Sequence, residues 1–177
     1  MKKVLVLGCC GAGKSTFSKK LHSILNLEII HLDQYYHKPN WEETEQDEWK
    51  KIVNSLVKKP SWIMDGNYSG TMDVRIESAD TIIYLDYPSI KCCLRVIKRN
   101  IKDFGKKRSD IADGCKERFN LSFLKFVLTF NYKNRANIYN RLEKDKTTKD
   151  VIILKNDKEG DLFLLKNRDS RTSLSKH

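Results

Sequence analysis

Residues Gly8 to Ser15 have the types and the spacing of a phosphate-binding loop. They fit the pattern G-x-x-x-x-G-K-[ST] and directly follow an apolar run, residues 4–7. Glycines let such a loop turn several backbone N–H groups toward one phosphate, and the N-terminus of the following helix adds a favourable dipole. The pattern predicts a site for ATP with Mg²⁺; the alternative is a glycine-rich turn that binds nothing.

Each residue of this loop has an expected role. Lys14 is expected to reach the β- and γ-phosphates, and the Ser15 hydroxyl is expected to ligate Mg²⁺. The predicted nucleotide-binding residues are Gly8, Cys9, Cys10, Gly11, Ala12, Gly13, Lys14, Ser15 and Thr16.

Two acidic residues stand where apolar runs end. Asp65 follows residues 62–64, and Asp33 ends the second apolar run. Ligands of open α/β sheets bind at the carboxyl ends of strands, so we expect both side chains beside the phosphates. Asp65 is predicted to hold Mg²⁺ or its water, and Asp33 to accept the proton of an attacking hydroxyl or to orient it. The alternatives are a turn at Asp65-Gly66 and a helix cap or solvated loop residue at Asp33.

Other residues are candidates for binding the phosphate acceptor. We expect an unidentified acceptor beside Asp33, Tyr68 and Arg75, with the Arg75 guanidinium available to an acceptor anion. Tyr35, Tyr36 and Trp41 are candidates for stacking on a planar substrate, or for filling the joint between loop and sheet.

A basic stripe, residues 95–108, is a candidate for neutralising the transferred phosphoryl group. Arginine suits this role because its planar fork binds two phosphate oxygens at once. Arg99, Arg108 and, further along, Arg135 are predicted to be catalytic together with Lys14 and Asp33. The alternative is an ordinary solvated helix face.

Apolar runs and helical patterns alternate along the chain. The runs occupy residues 4–7, 27–32, 62–64, 81–85 and 151–154, and helical patterns occupy residues 14–25, 45–57, 89–104 and 119–142. Such alternation predicts a five-stranded parallel sheet covered by helices on both faces, a three-layer α/β/α P-loop NTPase fold. We expect one domain at 1–165, with a substrate excursion at about 35–60 and a short lid at about 99–115. A short helix is expected to end near Leu165, before a flexible basic tail at 166–177.

The composition narrows the range of functions. The 177 residues have a net charge of +11, which favours anionic partners such as nucleotides, phosphorylated substrates or nucleic acid. No apolar run approaches the length needed to cross a bilayer, and the first run is shorter than that of a secretion signal. The five cysteines lack zinc-ligand spacing and are expected to be free thiols. We therefore expect a cytoplasmic protein without a membrane partner.

Several segments resemble, in order, the DNA topology modulation proteins, an adenylate-kinase-like branch of the P-loop proteins. They are Gly8–Ser15, His31–Asp33, Pro39–Trp41, Trp62–Tyr68, Ala79–Pro88 and Arg95–Arg108. The resemblance implies an adenylate-kinase-like fold with a short lid, in which Asp65 organises Mg²⁺ and its waters. It also implies that Arg99 and Arg108 are lid arginines and that Arg135 is the arginine of the next helix.

The sequence departs from adenylate kinases after Asp65-Gly66. Adenylate kinases have Phe-Pro-Arg there, whereas this chain has Asn67-Tyr68-Ser69. Asp33 is similar to the strand-end acid of kinases whose acceptor is a hydroxyl, such as shikimate or gluconate kinases. The leading hypothesis is therefore a kinase that transfers the γ-phosphate of ATP to a small molecule or nucleotide. A nucleotide-dependent regulator with weak, non-specific DNA binding and a simple ATP hydrolase stay open as alternatives, and no oligomeric state is predicted.

Overall fold

The computed structural model describes residues 1–103, 110–115, 120–145 and 148–174. Within these residues the centre of the molecule is a five-stranded parallel sheet of order β2-β5-β1-β6-β7, which confirms the predicted α/β class. Two short strands lie outside it. In chain order the strands are β1 (Lys3–Gly8), β2 (Ile29–His31), β3 (His37–Lys38), β4 (Glu42–Glu43), β5 (Trp62–Asp65), β6 (Thr81–Leu85) and β7 (Asp150–Leu154).

Helices cover both faces of the parallel sheet. They are α1 (Lys14–Leu25), α2 (Leu32–Tyr36), α3 (Gln46–Leu56), α4 (Met72–Ser78), α5 (Ser89–Lys102), α6 (Leu121–Asp145) and α7 (Asp157–Leu174). Every residue of β5 and β6 is buried, as expected for strands with no solvent-facing side. Helix α1 packs against α7, and α5 packs against α6. The arrangement is the predicted three-layer α/β/α fold.

The register of the sheet brings together the strand ends that carry the predicted site residues. Val6 of β1 and His31 of β2 both lie opposite Asp65 of β5. Gly8, the last residue of β1, lies opposite Leu85 of β6. Because β1 lies between two strands from far along the chain, its carboxyl end is a crossover point, where ligands of such sheets bind.

After β2 the chain leaves the sheet in a segment, residues 33–48, that we call the acceptor segment. In it α2 leads to β3 and β4, which pair antiparallel with His37 opposite Glu43. Thr44 ties the segment together because its backbone N–H and its hydroxyl both donate to the carbonyl oxygen of Tyr36, at 2.9 and 2.6 Å. That this part of the chain binds substrate stays a prediction.

The C-terminal helix corrects the sequence analysis. The predicted helix ended near Leu165 and a flexible tail followed, but α7 continues to Leu174. The helix packs on α1 through Phe163, whose ring centroid lies 6.2 Å from that of Phe17, and within the extension Arg171 donates to the Ile24 carbonyl. Residues 166–174 are therefore helical.

Part of the predicted lid lies outside the described residues. Helix α5 ends at Lys102 and the description resumes at residues 110–115, so Arg108 is not described. Within the described part of the chain, none of the helices combines the length and the apolar character needed to cross a membrane.

Candidate active site

A cavity of about 1200 Å³ opens at the carboxyl edge of the sheet. The phosphate-binding loop and the start of α1 form one wall, and the acceptor segment forms another. Helices α5, α6 and α7 complete the lining. The cavity therefore joins the two regions in which the sequence predicted nucleotide and acceptor binding.

The shape of the phosphate-binding loop depends on its glycines. Gly11 and Gly13 have φ of +85° and +92°, a region that residues with a side chain rarely adopt. A Cβ on Gly11 would lie 2.3 Å from the carbonyl oxygen of Cys92, so the loop packs directly on the first turn of α5. Gly13 is the N-cap of α1, whose first N–H groups have no acceptor within the helix.

The nine predicted nucleotide-binding residues divide into two groups. Those that line the cavity are Cys10, Gly11, Ala12, Gly13, Lys14, Ser15 and Thr16. Gly8 and Cys9 contribute backbone, because Lys14 Nζ donates to their carbonyl oxygens at 2.9 and 3.3 Å. The buried Cys9 thiol points away toward the Val127 carbonyl, 3.7 Å distant, and its burial against the Cys92 thiol raises the pKa of Cys9.

Asn67, which the sequence analysis did not single out, fixes the start of the loop. Its amide Nδ2 donates to the Gly8 carbonyl at 2.8 Å, and its Oδ1 accepts from the Gly8 N–H at 3.1 Å. This pair of hydrogen bonds joins the ends of β1 and β5. Asn67 is the first of the three residues that stand in place of Phe-Pro-Arg. Its side chain thus has a structural partner in the phosphate-binding loop itself.

Asp65 lies at the end of β5 on the cavity wall. It is 5% exposed, and its Oδ2 accepts from His31 Nδ1–H at 2.8 Å. Burial acts to lower the pKa of His31, but the hydrogen bond and the negative charge of Asp65 outweigh it and raise that pKa. The partner of this buried histidine is thus the residue predicted to hold Mg²⁺.

Asp33 also lines the cavity, at the start of the acceptor segment. Its Oδ1 accepts from the Tyr68 hydroxyl at 2.6 Å. Burial and the charge of Asp33 raise the pKa of Tyr68. The tyrosine therefore stays protonated, and its hydroxyl donates a hydrogen bond to the carboxylate. The two residues come from different strand ends, and the sequence predicted each of them but not their contact.

Aromatic rings form the wall beside Asp33. Tyr36 lies 4.5 Å from Tyr68 and 5.1 Å from the buried Trp49, centroid to centroid. Tyr36 lines the cavity and is buried, whereas Tyr35 is 38% exposed and lies outside the lining. Of the three aromatic residues predicted as stacking candidates, Tyr36 and Trp41 line the cavity and Tyr35 does not. Tyr36 shares the inward face of α2 with Leu32, four residues earlier.

Arg75 does not reach the cavity, and its predicted role as an anion ligand is wrong. Its side chain is fully buried, and the guanidinium donates to the backbone carbonyls of Gly66, Asn67, Tyr68 and Thr71. Burial lowers the pKa of Arg75 to about 9, so the group is still charged at neutral pH. Arg75 holds the loop that carries Asn67 and Tyr68.

Arg135 also differs from the prediction. It pairs with the buried Asp86 at 2.6 Å and borders a separate, shallow depression rather than the main cavity. The Tyr139 hydroxyl donates to the same Asp86 oxygen at 2.8 Å. The arginine that α6 presents to the cavity is Arg141, which pairs with Asp73 at 2.9 Å.

Helix α5 contributes two arginines to the cavity lining. Arg99 is there, as predicted, and so is Arg95, which pairs with Asp157 of α7 at 2.7 Å. Lys91 reaches the same carboxylate at 2.8 Å, so α5 and α7 are joined beside the loop. The basic stripe of α5 could not have predicted Asp157 as the partner of Arg95, because Asp157 lies on α7, far along the chain.

The residues on the cavity wall fit ATP and Mg²⁺. The first N–H groups of α1 have no acceptor within the helix, and both Ser15 and Asp65 line the cavity. Magnesium keeps several waters and takes one or two protein oxygens besides those of substrate phosphates, which these two donors match. In the portion of the chain that the structure describes, no group of three or more His, Cys, Asp or Glu could hold a metal by itself.

Comparison with known proteins identifies the fold. No family model and no curated protein matches the chain. The solved shikimate kinase of Acinetobacter baumannii, in complex with shikimate, is 16% identical and aligns over 99% of this chain and 94% of that chain with a TM-score of 0.59. The shikimate kinase of Bacteroides thetaiotaomicron is 15% identical over 98% of both chains, with a TM-score of 0.56. At these identities the likeness concerns architecture alone: the chain has the fold of the P-loop kinases.

Proposed function

We propose that this protein is a phosphotransferase that moves the γ-phosphate of ATP to a hydroxyl group of a small molecule. One observation carries the proposal: a continuous cavity is lined by Lys14 and Ser15 and also by Asp33, whose carboxylate accepts a 2.6 Å hydrogen bond from Tyr68. An ATP hydrolase needs space for water only, whereas this cavity extends along a wall of aromatic rings. That extension favours an acceptor molecule.

The proposed roles follow from charge and position. Lys14 exchanges its contacts with the Gly8 and Cys9 carbonyls for the β- and γ-phosphate oxygens, and Arg99 neutralises charge on the transferred group. Mg²⁺, when bound by Ser15 and by Asp65 or its water, supplies positive charge between the phosphates. Asp33 accepts the proton of the attacking hydroxyl, and Tyr68 keeps the carboxylate oriented. A contribution from Arg108 stays a prediction.

An acceptor screen tests this function. The full chain is incubated with ATP, Mg²⁺ and single hydroxyl compounds, and ADP release is followed while the product is identified by mass spectrometry. We expect at least one compound to raise ADP release and to appear as its phosphate ester. Lys14→Ala supplies the blank, and Lys50→Ala, on the exposed face of α3, is the matched control with an unchanged rate. Release of phosphate to water at one rate with every compound would favour an ATP hydrolase instead.

A more specific part of this proposal is a relation to the DNA topology modulation proteins, which depends on residues 65–68 and 85–88. A role on DNA receives less support from the basic stripe of α5. Arg95 and Arg99 line the cavity, and Lys91 and Arg95 are paired with Asp157, so much of this charge is directed to the nucleotide side. Tight DNA binding that survives high salt and added ATP would reverse this judgement, because contacts to phosphates alone weaken steeply with salt.

A further inference from the structure

The acceptor segment is acidic although the protein is basic. Residues 33–48 contain six carboxylates and one lysine, whereas the whole chain has a net charge of +11. The single lysine, Lys38, is already paired with Glu48 at 3.2 Å. A wall of one sign beside a cavity raises the local concentration of ligands of the opposite sign.

Two of these carboxylates line the cavity. Asp33 is the proposed proton acceptor, and Glu43 lies on β4. The Tyr36 hydroxyl donates to Glu43 Oε2 at 2.8 Å, which holds this carboxylate at the cavity wall. Glu42, the preceding residue, lies on the other face of the strand, because successive side chains of a β-strand alternate.

The rings near these carboxylates add no positive charge. Tyr36, Trp41 and Tyr68 line the cavity, and ring faces of this kind attract cations and pack against flat or ring-shaped ligands. His37 also lines the cavity, and burial lowers its pKa, so its imidazole is neutral at pH 7.

Two arginines that contact the loop of Tyr68, Arg75 and Arg141, are engaged by protein groups. Arg75 donates to four backbone carbonyls behind the wall. Arg141 lines the cavity, but it pairs with Asp73 at 2.9 Å and donates to the Ser69 carbonyl at 3.4 Å. A carboxylate or phosphate on the acceptor would therefore meet Asp33 and Glu43 with little opposing charge from the described residues.

We propose that the acceptor is a cationic alcohol: a ring-shaped molecule that carries the reacting hydroxyl and a protonated amine, as amino sugars do. The hydroxyl lies at Asp33, the amine at Glu43 and the ring against Tyr36 and Trp41. This inference rests on the proposed phosphotransferase function and adds the class of acceptor to it.

The reaction balances with ATP as the only co-substrate. The acceptor oxygen forms a bond to the γ-phosphorus while the bond from that phosphorus to the β–γ bridging oxygen breaks, and ADP leaves. The hydroxyl proton passes to Asp33 and then to water. The amine keeps its proton and serves only for binding.

Ring compounds that differ in charge test the inference. One series is glucosamine, glucose and glucuronate; another is 3′-amino-3′-deoxyadenosine, adenosine and adenosine monophosphate. We expect the amine-bearing member of the accepted series to have a kcat/KM at least about tenfold above the neutral member, with the acid lowest. Equal or better use of the neutral or acidic members, or no use of any amine, overturns the inference. It leaves the proposed function intact as long as some acceptor raises Lys14-dependent ADP release; absence of such release with every acceptor refutes the function itself.

A pair of adjacent variants locates the amine site. Glu43→Gln removes the charge but still accepts the Tyr36 hydrogen bond, so the preference for the amine over the neutral member should fall about tenfold. Glu42→Gln removes the same charge on the opposite face of β4 and should leave the preference within about twofold, far from that change. Equal effects of the two variants would mean that long-range charge, and not a bond to Glu43, selects the ligand, which contradicts the proposed amine site.

Discussion

The phosphate-binding loop and the acceptor segment line the same cavity, but their shapes have different origins. The loop is set by local backbone: Gly11 and Gly13 take positive φ, and the Ala12 N–H donates to the Cys9 carbonyl at 3.0 Å. The acceptor segment is set by residues distant in sequence, since Tyr68, from the end of β5, contacts both Asp33 and Tyr36. A loop whose shape depends on local backbone suits the phosphate groups that all nucleoside triphosphates share. A wall built by distant contacts can change its ligand through a few side chains.

The largest effect should come from the loop. Lys14→Ala should lower phosphoryl transfer by about 10³–10⁵-fold, the range of a cation that stabilises phosphoryl charge. The melting temperature should stay within a few degrees, because Lys14 Nζ donates to the Gly8 and Cys9 carbonyls of its own loop and joins no distant elements through these bonds. Calorimetric titration with ATP measures the loss of binding, and an affinity equal to that of the unmodified protein would refute the assignment of the loop.

On the acceptor side, Asp33→Asn should lower transfer to a hydroxyl by about 10²–10⁴-fold, the usual contribution of a positioned acid–base group. Hydrolysis of ATP without acceptor should fall less, because water needs no acceptor subsite. Asp150→Asn, an exposed residue at the start of β7, is the matched control. If transfer survives within about twofold, well short of that range, Asp33 only accepts the hydrogen bond from Tyr68 and does no chemistry.

Asp65 lies at the end of β5, outside both the loop and the acceptor segment, and should have an intermediate effect. Asp65→Asn should lower turnover by about 10–100-fold, as changes beside a metal's ligands do, and the loss should shrink as Mg²⁺ is raised. Binding of ATP without Mg²⁺ should change little. Unchanged turnover at every Mg²⁺ concentration would assign the metal role to a different acid.

The smallest effect on transfer is expected at Arg135. Arg135→Met should leave transfer within about twofold but should lower the free energy of unfolding by about 1–3 kcal/mol, because the buried Asp86 loses a partner. Arg141→Met, on the cavity face of the same helix, should change the acceptor KM more than Arg135→Met does, because Arg141 lines the cavity and Arg135 does not. A loss of transfer with Arg135→Met that exceeds the loss with Arg141→Met would restore the prediction made from sequence.

Patterns confined to short stretches predicted the structure well. The five strands and the main helices appear close to the predicted positions, because each depends on the period of its own apolar residues. The same periodicity could have corrected the predictions for two arginines, Arg75 and Arg135. Arg75 shares a helix face with Met72 and Ile76, which indicates burial, and Arg141 continues the stripe of Phe130 and Asn134 that lines the cavity, whereas Arg135 falls beside it.

Contacts between distant residues could not be predicted in this way. The bond of Asp33 with Tyr68, that of His31 with Asp65 and that of Arg95 with Asp157 each join elements that meet only in the folded chain. Residue type and strand-end position predicted that Asp33 and Asp65 would be near one edge. They did not determine which partner holds each carboxylate.

The position of Asp157 has a consequence for the order in which the parts of the protein fold during synthesis. On the ribosome the phosphate-binding loop is made before the strands beside it, and its strand β1 must wait for β5 and β6 before it has neighbours. Arg95 gains its partner later still, when α7 follows β7 out of the ribosome. Since nucleotide stabilises only a chain that already binds it, ATP bound as proposed should assist folding only after α7 has been made.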